Sequence, residues 1–313
     1  MTARSIWGFF IPLLFFACAK RSQHELVSVT RLAHYPSASA LEFADKKLYV
    51  IGDDATRLLV MDTSFNVVDS IALYPHSASR IPKETKADLE AAAFIELKKR
   101  RLLLLLGSGS AGPRESGWLI DPVSLKKDSI SLSRFYARLR EEGLREVNIE
   151  GCAPIPGFLF LINRGHKAYP TNYLIKTKNA FWSDTNNVAI DLIRIGTNTD
   201  TASFRGVSGM DYAPVSDRLI LTVSTEDTRS VYEDGAIGKS YLWIVKFISS
   251  KRDWLAINPD QVIDLEEIDG IFRGQKLESV AVVQETKEHL LLALAADNDD
   301  GSSTLFNLRI RKE

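Results

Sequence analysis

The chain has 313 residues, of which 45% are hydrophobic and 25% are charged, and its formal net charge at pH 7 is −1. Such values are typical of a globular protein, and the length allows one large domain or two. A nearly neutral balance does not provide the basic surface that attracts nucleic acids or anionic membranes, so we expect no nucleic-acid partner.

The first residues have the pattern of a secretion signal. Arg4 precedes an apolar stretch, 6–16, that is shorter than the roughly 20 residues a membrane-spanning helix needs. Ala17 and Cys18 follow, and this ending resembles a bacterial lipobox, in which Cys18 becomes the lipidated first residue of the mature protein. Cleavage of an ordinary signal nearby is the alternative.

These features divide the chain into a signal peptide over 1–17, a tether over 18–24 and a single domain over 25–313. We predict a protein of the bacterial cell envelope that faces the periplasm and reaches the membrane only through its lipid. Cys152 then has no cysteine partner, so no disulfide is expected. We interpret Cys152 as a buried small hydrophobe rather than a catalytic thiol.

A short phrase recurs along the domain: an apolar residue and a glutamate, usually followed by a small residue, ahead of a β-rich run. One copy carries Ser208 in place of the glutamate. The copies lie at Ala40–Phe43, Asp88–Ala91, Asn148–Gly151, Gly206–Gly209 and Lys276–Ser279. Repetition of one unit along a chain predicts a repeat architecture.

The first repeat contains four short β-rich segments joined by tight turns, as one propeller blade does. The last repeat is one segment short, and residues 25–32 alternate like a strand that could complete it and remove an exposed edge. The sequence therefore predicts an all-β propeller of five four-stranded blades, with an N-terminal strand closing the last blade. The loose spacing of the phrases leaves six blades as the alternative.

Two segments, one within the second repeat and one between the second and third, have recognisable patterns. Five consecutive leucines at 102–106 predict a strand that is buried on both faces. Residues 133–143 predict a short amphipathic helix with Ser133 as its N-cap. Residues 263–275 are expected to fill the corresponding connection before the last phrase.

The phrase glutamates are the candidate metal ligands. The first strand of each propeller blade lines the central channel. We therefore expect four side chains to converge near one face of the propeller: Glu42, Glu90, Glu150 and Glu278. Loops that leave the second strands reach the same face and add Asp53, Glu226 and Asp297. Crowded carboxylates take up protons or bind a cation, and oxygen donors without a matching Cys or His set favour calcium over zinc. The alternative is that each glutamate caps a turn or pairs with a neighbouring base.

Basic residues accompany these acids in connections on the same face. They are Lys86, Arg145, Arg164, His166, Arg205 and Arg273. A divalent cation bordered by such groups suits an anionic small ligand, for example a phosphoester or a carboxylate. The alternative is that the bases only balance the acids.

Two further motifs do not have the context of the sites they resemble, a dinucleotide site and an EF-hand. Residues 107–112 match G-x-G-x-x-G, but Pro113 and a polar loop follow where a dinucleotide site needs a helix. Residues 297–301 resemble the start of a calcium loop, but Leu308 stands where an EF-hand needs its glutamate.

These phrases, with N-R-G-H at 163–166 and D-N-D-D-G at 297–301, resemble the phytase-like and SdiA-regulated propeller groups. They resemble more closely the uncharacterised lipoprotein propellers of Gram-negative bacteria. The resemblance covers about residues 25–313 and implies a disc of five or six blades with a glutamate-lined calcium-type site. The four glutamates named above have the matching positions in their phrases, so the resemblance implies that they are the ligands of this site. Ser208 departs from the pattern.

The resulting hypothesis is a monomeric, lipid-anchored propeller that binds a divalent cation and an anionic small molecule, with hydrolysis of a phosphoester or lactone as its enzymatic version. In that version the metal activates a water molecule, and the catalytic candidates are Glu150, Arg164 and His166. The alternative is a non-catalytic scaffold for envelope proteins, since no nucleophile motif is recognisable. A third hypothesis, carbohydrate binding, rests on the aromatic residues Tyr169, Trp182 and Trp254.

Overall fold

A computed structural model describes residues 23–74, 80–196, 204–226, 237–251 and 255–313, without the side chains of Glu226 and Ile237. The signal segment, Cys18 and Trp254 lie outside the described residues, and the division of the chain into three parts stays a prediction. Within the described ranges, no helix is both long enough and apolar enough to cross a membrane.

The strands form five sheets. The chain begins with β1 (His24–Leu32). The first blade contains β2 (Ala38–Ala44), β3 (Lys47–Gly52), β4 (Arg57–Met61) and β5 (Val67–Ala72). The second contains β6 (Leu89–Leu97), β7 (Arg100–Gly107), β8 (Ser116–Ile120) and β9 (Lys127–Ser131). The third contains β10 (Ile149–Ile155), β11 (Phe158–Asn163), β12 (Asn172–Thr177) and β13 (Asp191–Ile195).

The last two blades come from the remainder of the chain. The fourth contains β14 (Arg205–Ala213), β15 (Arg218–Glu226), β16 (Ile237–Lys246) and β18 (Gln261–Asp264). Between the last two of these strands, β17 (Ala256–Ile257) leaves its own blade and pairs in parallel with β13 of the third. The fifth blade contains β19 (Lys276–Glu285), β20 (His289–Asp297), β21 (Ser303–Arg311) and the N-terminal β1.

The N-terminal strand closes the ring. β1 runs antiparallel to β21, with a register that extends from His24 opposite Ile310 to Leu32 opposite Ser303. The predicted propeller of five four-stranded blades, closed by an N-terminal strand, is therefore confirmed. The six-blade alternative is wrong because the strands of the described residues form five sheets. The longest interval between phrases, from Ser208 to Glu278, contains β17, which pairs with the third blade, and short 3-10 helices rather than a further blade.

The core consists of apolar clusters between neighbouring blades. The leucine run on β7 shows how one strand supplies two of them, since Leu104 and Leu106 pack toward the third blade whereas Leu103 and Leu105 pack toward the first. Alternate side chains of a strand point to opposite faces, so a strand between two blades is apolar at every position. The predicted burial of this strand on both faces is confirmed.

The predicted helix forms as α1 (Ser133–Glu141) in the connection between the second and third blades. Phe135, Tyr136 and Leu139 form its buried face. The N-cap prediction is wrong: Leu132 occupies that position, and no side chain caps the helix. The Tyr136 hydroxyl donates a hydrogen bond to the backbone carbonyl of Gly107 at 2.6 Å, which holds the helix against β7.

Short 3-10 helices occupy several other connections. They lie at Gly112–Arg114, Phe181–Ser183, Ile248–Ser250, Leu265–Glu267 and Gly270–Phe272. The last two lie in the connection between β18 and β19, where the sequence predicts an element before the last phrase.

We expect a chain that begins at Ala33, and so lacks β1, to lose about 3 kcal/mol of unfolding free energy or more. The reason is that Leu26 and Leu32 pack against two interblade clusters, and burial of one leucine contributes about 1.5–3 kcal/mol. Thermal unfolding should show a Tm lower by roughly 6–12 °C. A chain that begins at Gln23 keeps β1 and is the control; equal Tm values for the two chains would contradict the role of β1 in closure.

Candidate functional site

A β-bulge in the first strand of every blade turns one side chain out of the regular alternation. The register shifts by one residue between Ala38 and Ala40, and the same shift recurs in the four other inner strands. The bulged residues are Ser39, Glu90, Glu150, Ser208 and Glu278. Bulges commonly reorient a side chain next to a functional site.

The predicted convergence of four glutamates holds for three of them, and Glu42 is the exception. The residue equivalent to Glu90 in the first blade is Ser39, and Glu42 lies three positions further along β2, opposite Tyr49. Ser39 instead links two blades, because its hydroxyl donates a hydrogen bond to the carbonyl of Leu89 at 2.6 Å. Ser208 makes the same link to Leu277 at 2.5 Å.

Arg164 stands between two of the bulge glutamates. Its Nη1 atom is 3.9 Å from Glu150 Oε1 and also 3.9 Å from Glu278 Oε2. Lys276 adds a second base, since its Nζ atom is 3.1 Å from Glu278 Oε1. The Asn148 side-chain amide donates to Glu150 Oε1 at 2.6 Å. This half of the ring therefore carries acids and bases in contact.

The other half is built around Glu90. Lys86 forms ion pairs with Asp53 and with Asp88, and its Nζ atom is 2.7 Å from Asp88 Oδ1. Arg114 Nη1 donates to Asp88 Oδ2 at 2.8 Å. Three carboxylate oxygens, one from each of Asp53, Asp88 and Glu90, lie within 4.8 Å of one another. They are close enough to share one cation.

Sequence reasoning missed Asp88 and Arg114. Asp88 directly precedes the second phrase, so its position one residue before β6 could have marked it as a further ligand. Arg114 comes from the Gly/Ser-rich loop after β7, and no local pattern indicates that its guanidinium folds back into the ring.

Burial and like charge perturb the acids of this second half. Burial is the largest cause that raises the pKa of Glu90 well above 4.5, and the charges of Asp88, Asp53 and Glu150 raise it further. The nearby Lys86 lowers this pKa. Burial also raises the pKa of Asp53 to about 6, even though Lys86 lowers it. At neutral pH Glu90 therefore favours a bound proton or a nearby cation.

Two acceptors here lack a donor. Asp53 Oδ1 is buried and makes no hydrogen bond. Glu90 has neither a hydrogen bond nor an ion pair with any residue that the structure describes. A buried acceptor without a partner is costly, so Asp53 Oδ1 has the character of a ligand for a hard cation, and the half-buried Glu90 carboxylate lies beside it. The residues present fit a calcium-type ion supplemented by water.

Two cavities border the ring. One of about 340 Å³ is lined by Asp53, Lys83, Lys86, Lys276 and Asp297. Another of about 220 Å³ is lined by residues of the third blade and its preceding connection, including Arg145, Glu146, Arg164, His166 and Tyr169. Asp297 thus lies in the same cavity as Asp53, whereas the side chain of Glu226 lies outside the described residues.

Both ring nitrogens of His166 are engaged. Nε2 is 2.8 Å from Glu146 Oε2, and Nδ1 accepts a hydrogen bond from the backbone N–H of Ala168 at 3.3 Å. The imidazole also packs edge-on against Tyr169, with ring centroids 5.3 Å apart. These contacts position His166 firmly but leave neither nitrogen directed at a ligand.

The remaining basic candidates have other contacts. Arg145 stacks on Tyr169 with its guanidinium 5.2 Å from the ring centroid, and Arg205 stacks on Tyr241 at 4.4 Å. Arg273 is 79% exposed at its side chain, and its Nε is 3.6 Å from Glu266 Oε2. Arg273 therefore belongs to the protein surface rather than to the ring of glutamates.

Two other sequence interpretations can be placed in the structure. Cys152 is buried in the cluster between the second and third blades, and burial raises the pKa of its thiol well above 9.0. This agrees with a small hydrophobe rather than a catalytic thiol. Trp182 packs against Phe181, with ring centroids 5.2 Å apart, beside the same cluster.

A family described as "Family of unknown function (DUF6929)" matches residues 34–310, so the chain belongs to it. Among curated proteins, no sequence matches. Glutaminyl cyclase from Myxococcus xanthus is 9% identical with a TM-score of 0.49, covering 93% of this chain and 97% of that one. Virginiamycin B lyase from Staphylococcus aureus is 8% identical with a TM-score of 0.42, covering 92% and 99%. The Cps50 (Swd1) β-propeller domain of Myceliophteria thermophila is 7% identical with a TM-score of 0.38, covering 89% and 99%.

We expect Glu90→Gln to stabilise the metal-free protein, by an amount that grows as the pH rises. A raised pKa in the folded state contributes stability below the unfolded pKa of about 4.5, and that contribution is lost as the pH rises through the folded value. Each unit of the raised pKa corresponds to about 1.4 kcal/mol. Thermal unfolding in EDTA from pH 4.5 to 8 measures the difference in Tm between variant and wild type.

The control for this experiment is Glu96→Gln, an exposed glutamate near the other end of the same strand. Its Tm should follow that of the wild type at every pH. A difference between Glu90→Gln and wild type that is independent of pH would show that Glu90 is not a buried, proton-binding carboxylate.

Proposed function

We propose that this member of the DUF6929 family binds a divalent cation, preferentially calcium, among Asp53, Asp88 and Glu90, and an anionic small molecule beside it. The single observation that carries the proposal is the buried, unpartnered Oδ1 of Asp53 within a group of three converging carboxylates. Carboxylate oxygens are the preferred ligands of calcium, which also accepts water and irregular geometry.

The bases of the ring explain why the two ligands belong together. Lys86, Arg164 and Lys276 are each held by acids in the structure. A divalent cation bound by some of those acids replaces the positive charge that the bases now provide. The bases are then available to an anion, so cation binding should increase the affinity for the anion, and the reverse follows by linkage.

Binding is favoured over hydrolysis by the contacts of the catalytic candidates. Both nitrogens of His166 are engaged, and Arg164 lies between two carboxylates. In the enzymatic version, a metal held by these carboxylates would activate a water molecule for attack on a phosphoester or lactone, and Glu150 would move protons. The resemblance to phytase-like propellers does not by itself establish this activity. The scaffold alternative predicts that neither a cation nor an anion binds at this mouth.

The test is isothermal titration of EDTA-treated protein with CaCl2, followed by inorganic phosphate and phytate in the presence and absence of calcium. We expect calcium to bind, Glu90→Gln to abolish its binding, and the anions to bind more tightly once calcium is present. Release of phosphate from phytate, or ring opening of a lactone, would establish the enzymatic version. Absence of calcium binding by the wild type would overturn the proposal and favour the scaffold.

A substitution at Lys86 tests whether this lysine competes with calcium for the carboxylates or only balances their charge. In EDTA we expect Lys86→Met to unfold at a lower temperature, since breaking a buried ion pair costs about 3–5 kcal/mol. With CaCl2 the same variant should bind calcium at least tenfold more tightly than wild type, because the competing ammonium is gone. Calorimetry and thermal unfolding provide the two measurements.

Lys83→Met is the matched control for that experiment, since Lys83 is an exposed lysine that lines the same cavity. It should change neither Tm nor calcium affinity appreciably. A Lys86→Met variant that is destabilised but binds no calcium would mean that the carboxylates serve only to hold the lysine.

We further propose that Cys18 carries the lipid that attaches the protein to the envelope. The apolar segment 6–16 and the Ala17-Cys18 ending support this proposal. Expressed in a Gram-negative host with an alkyne-labelled fatty acid, the full chain should be labelled and partition with membranes. Cys18→Ser should be unlabelled, whereas Cys152→Ser should behave as wild type; labelling of Cys18→Ser would refute the assignment.

A further inference from the structure

A second pair of carboxylates lies in the inner strands, away from the bulges. Glu42 and Asp211 stand three positions after Ser39 and Ser208, and both belong to blades whose bulge carries serine. Three residues of a strand correspond to a distance of about 10 Å along the channel. In the other three blades the same position is alanine: Ala93, Ala153 and Ala281.

These two acids line one cavity of about 670 Å³. This volume is within the range of about 300–1,000 Å³ that is usual for small-molecule sites. Much of its wall is apolar and comes from the ends of inner strands and the turns that follow them. The apolar lining includes Phe43, Phe94, Pro154, Ile155, Pro156 and Val282. None of the bulge residues lines this cavity, so it is separate from the ring at the other mouth.

Glu42 enters this cavity without a side-chain partner. Only 6% of the residue is exposed, and no side chain in the described ranges donates a hydrogen bond to it or pairs with it. Burial and then Asp211 raise the pKa of Glu42, while Arg101 and the backbone N–H groups of Phe43 and Phe94 lower it. The carboxylate is therefore buried near a like charge, and its compensation comes from backbone N–H groups and from Arg101 at a distance rather than from an ion pair in contact with it.

Asp211 is fixed on the opposite side by the backbone. Its two oxygens accept hydrogen bonds from the N–H groups of Val282 at 2.7 Å and Tyr212 at 2.6 Å. Arg101, a base on the cavity wall, is directed elsewhere. Its Nη1 is 3.3 Å from Asp45, and its guanidinium lies 4.8 Å from the centroid of the Phe94 ring. Among the residues that the structure describes, neither Glu42 nor Asp211 thus forms an ion pair with a base.

We propose that this second mouth binds a small organic cation, with an ammonium group between Glu42 and Asp211 and an apolar body against the phenylalanine and proline walls. An ammonium group relieves the repulsion between the two carboxylates and supplies charged donors to Glu42, which has no side-chain partner in the described ranges. The apolar walls favour an organic cation over a bare metal ion, which would need additional oxygen ligands. This site does not depend on the cation and anion binding proposed for the other mouth.

The experiment is calorimetric titration with phenethylamine and with choline, using 3-phenylpropionate as the anionic counterpart of the first. We expect at least one of the two cations to bind and the anion not to bind. Glu42→Gln should weaken the affinity at least tenfold because it removes the carboxylate charge while preserving the shape of the side chain. Glu96→Gln, which lies outside this cavity, should leave the affinity unchanged.

Thermal unfolding of each variant confirms that it is folded before titration. Failure of both cations to bind the folded wild type would overturn the proposal, as would equal affinities for wild type and Glu42→Gln. Calcium binding that is lost in Glu42→Gln, without any binding of the amines, would identify a metal site and also overturn it. Loss of calcium binding in Glu90→Gln concerns only the other mouth.

Discussion

The architecture depends on the pairing of the first strand of the domain with the last. Antiparallel contact between β1 and β21 completes the fifth blade and allows it to pack against the first, where Leu32 meets the cluster formed by Tyr35, Leu41 and Leu305. A propeller left open at this point would have an exposed strand edge and an apolar blade face in water. Closure also brings inner strands that are distant in sequence around one axis, as in the approach of Arg164 to Glu278.

Charge balance then determines the properties of the channel. Desolvated carboxylates are tolerated where bases reach them, as Lys86 reaches Asp53 and Asp88, and such pairs are worth little until one partner is removed. The acids without such partners, Glu90 at one mouth and Glu42 at the other, have raised pKa values because burial is not compensated. Perturbed pKa values of this kind cluster at functional sites, which is why both mouths are the natural places to look for ligands.

The propeller, its blade number and the closing strand could be predicted because they rest on local signals. Strand alternation, the repeated phrase and the missing last strand are all visible in the order of residues. The position of Glu42 could not be predicted, because a bulge adds one residue to the strand and only the pairing shows where it lies. The segment A-S-A at 38–40 matches L-E-A at 89–91, but the glutamate two residues later gave a more obvious match.

The ion-pair partners within the site are the other feature that could be predicted only in part from the sequence. The bulge glutamates could be identified from their phrase, and Lys86 from its place shortly before it. Arg114 arrives from a loop of the same blade and Arg164 from the loop after β11, and their contacts depend on how blades pack rather than on spacing. Arg205 and Arg273 precede their phrases at spacings similar to that of Lys86, but Arg205 stacks on Tyr241 and Arg273 faces solvent. Spacing therefore identifies a set of candidates, and tertiary packing decides among them.

The placement of β1 on the outside of the fifth blade has a consequence for orientation. A lipid on Cys18, as proposed, would be joined to the rim of the disc at His24 by six residues, which span at most about 21 Å. The propeller would then be attached to the bilayer at its outer edge, and its axis would be free to lie parallel to the membrane plane. Both openings would face sideways into the aqueous compartment, and diffusing solutes could approach either one without the bilayer in the way.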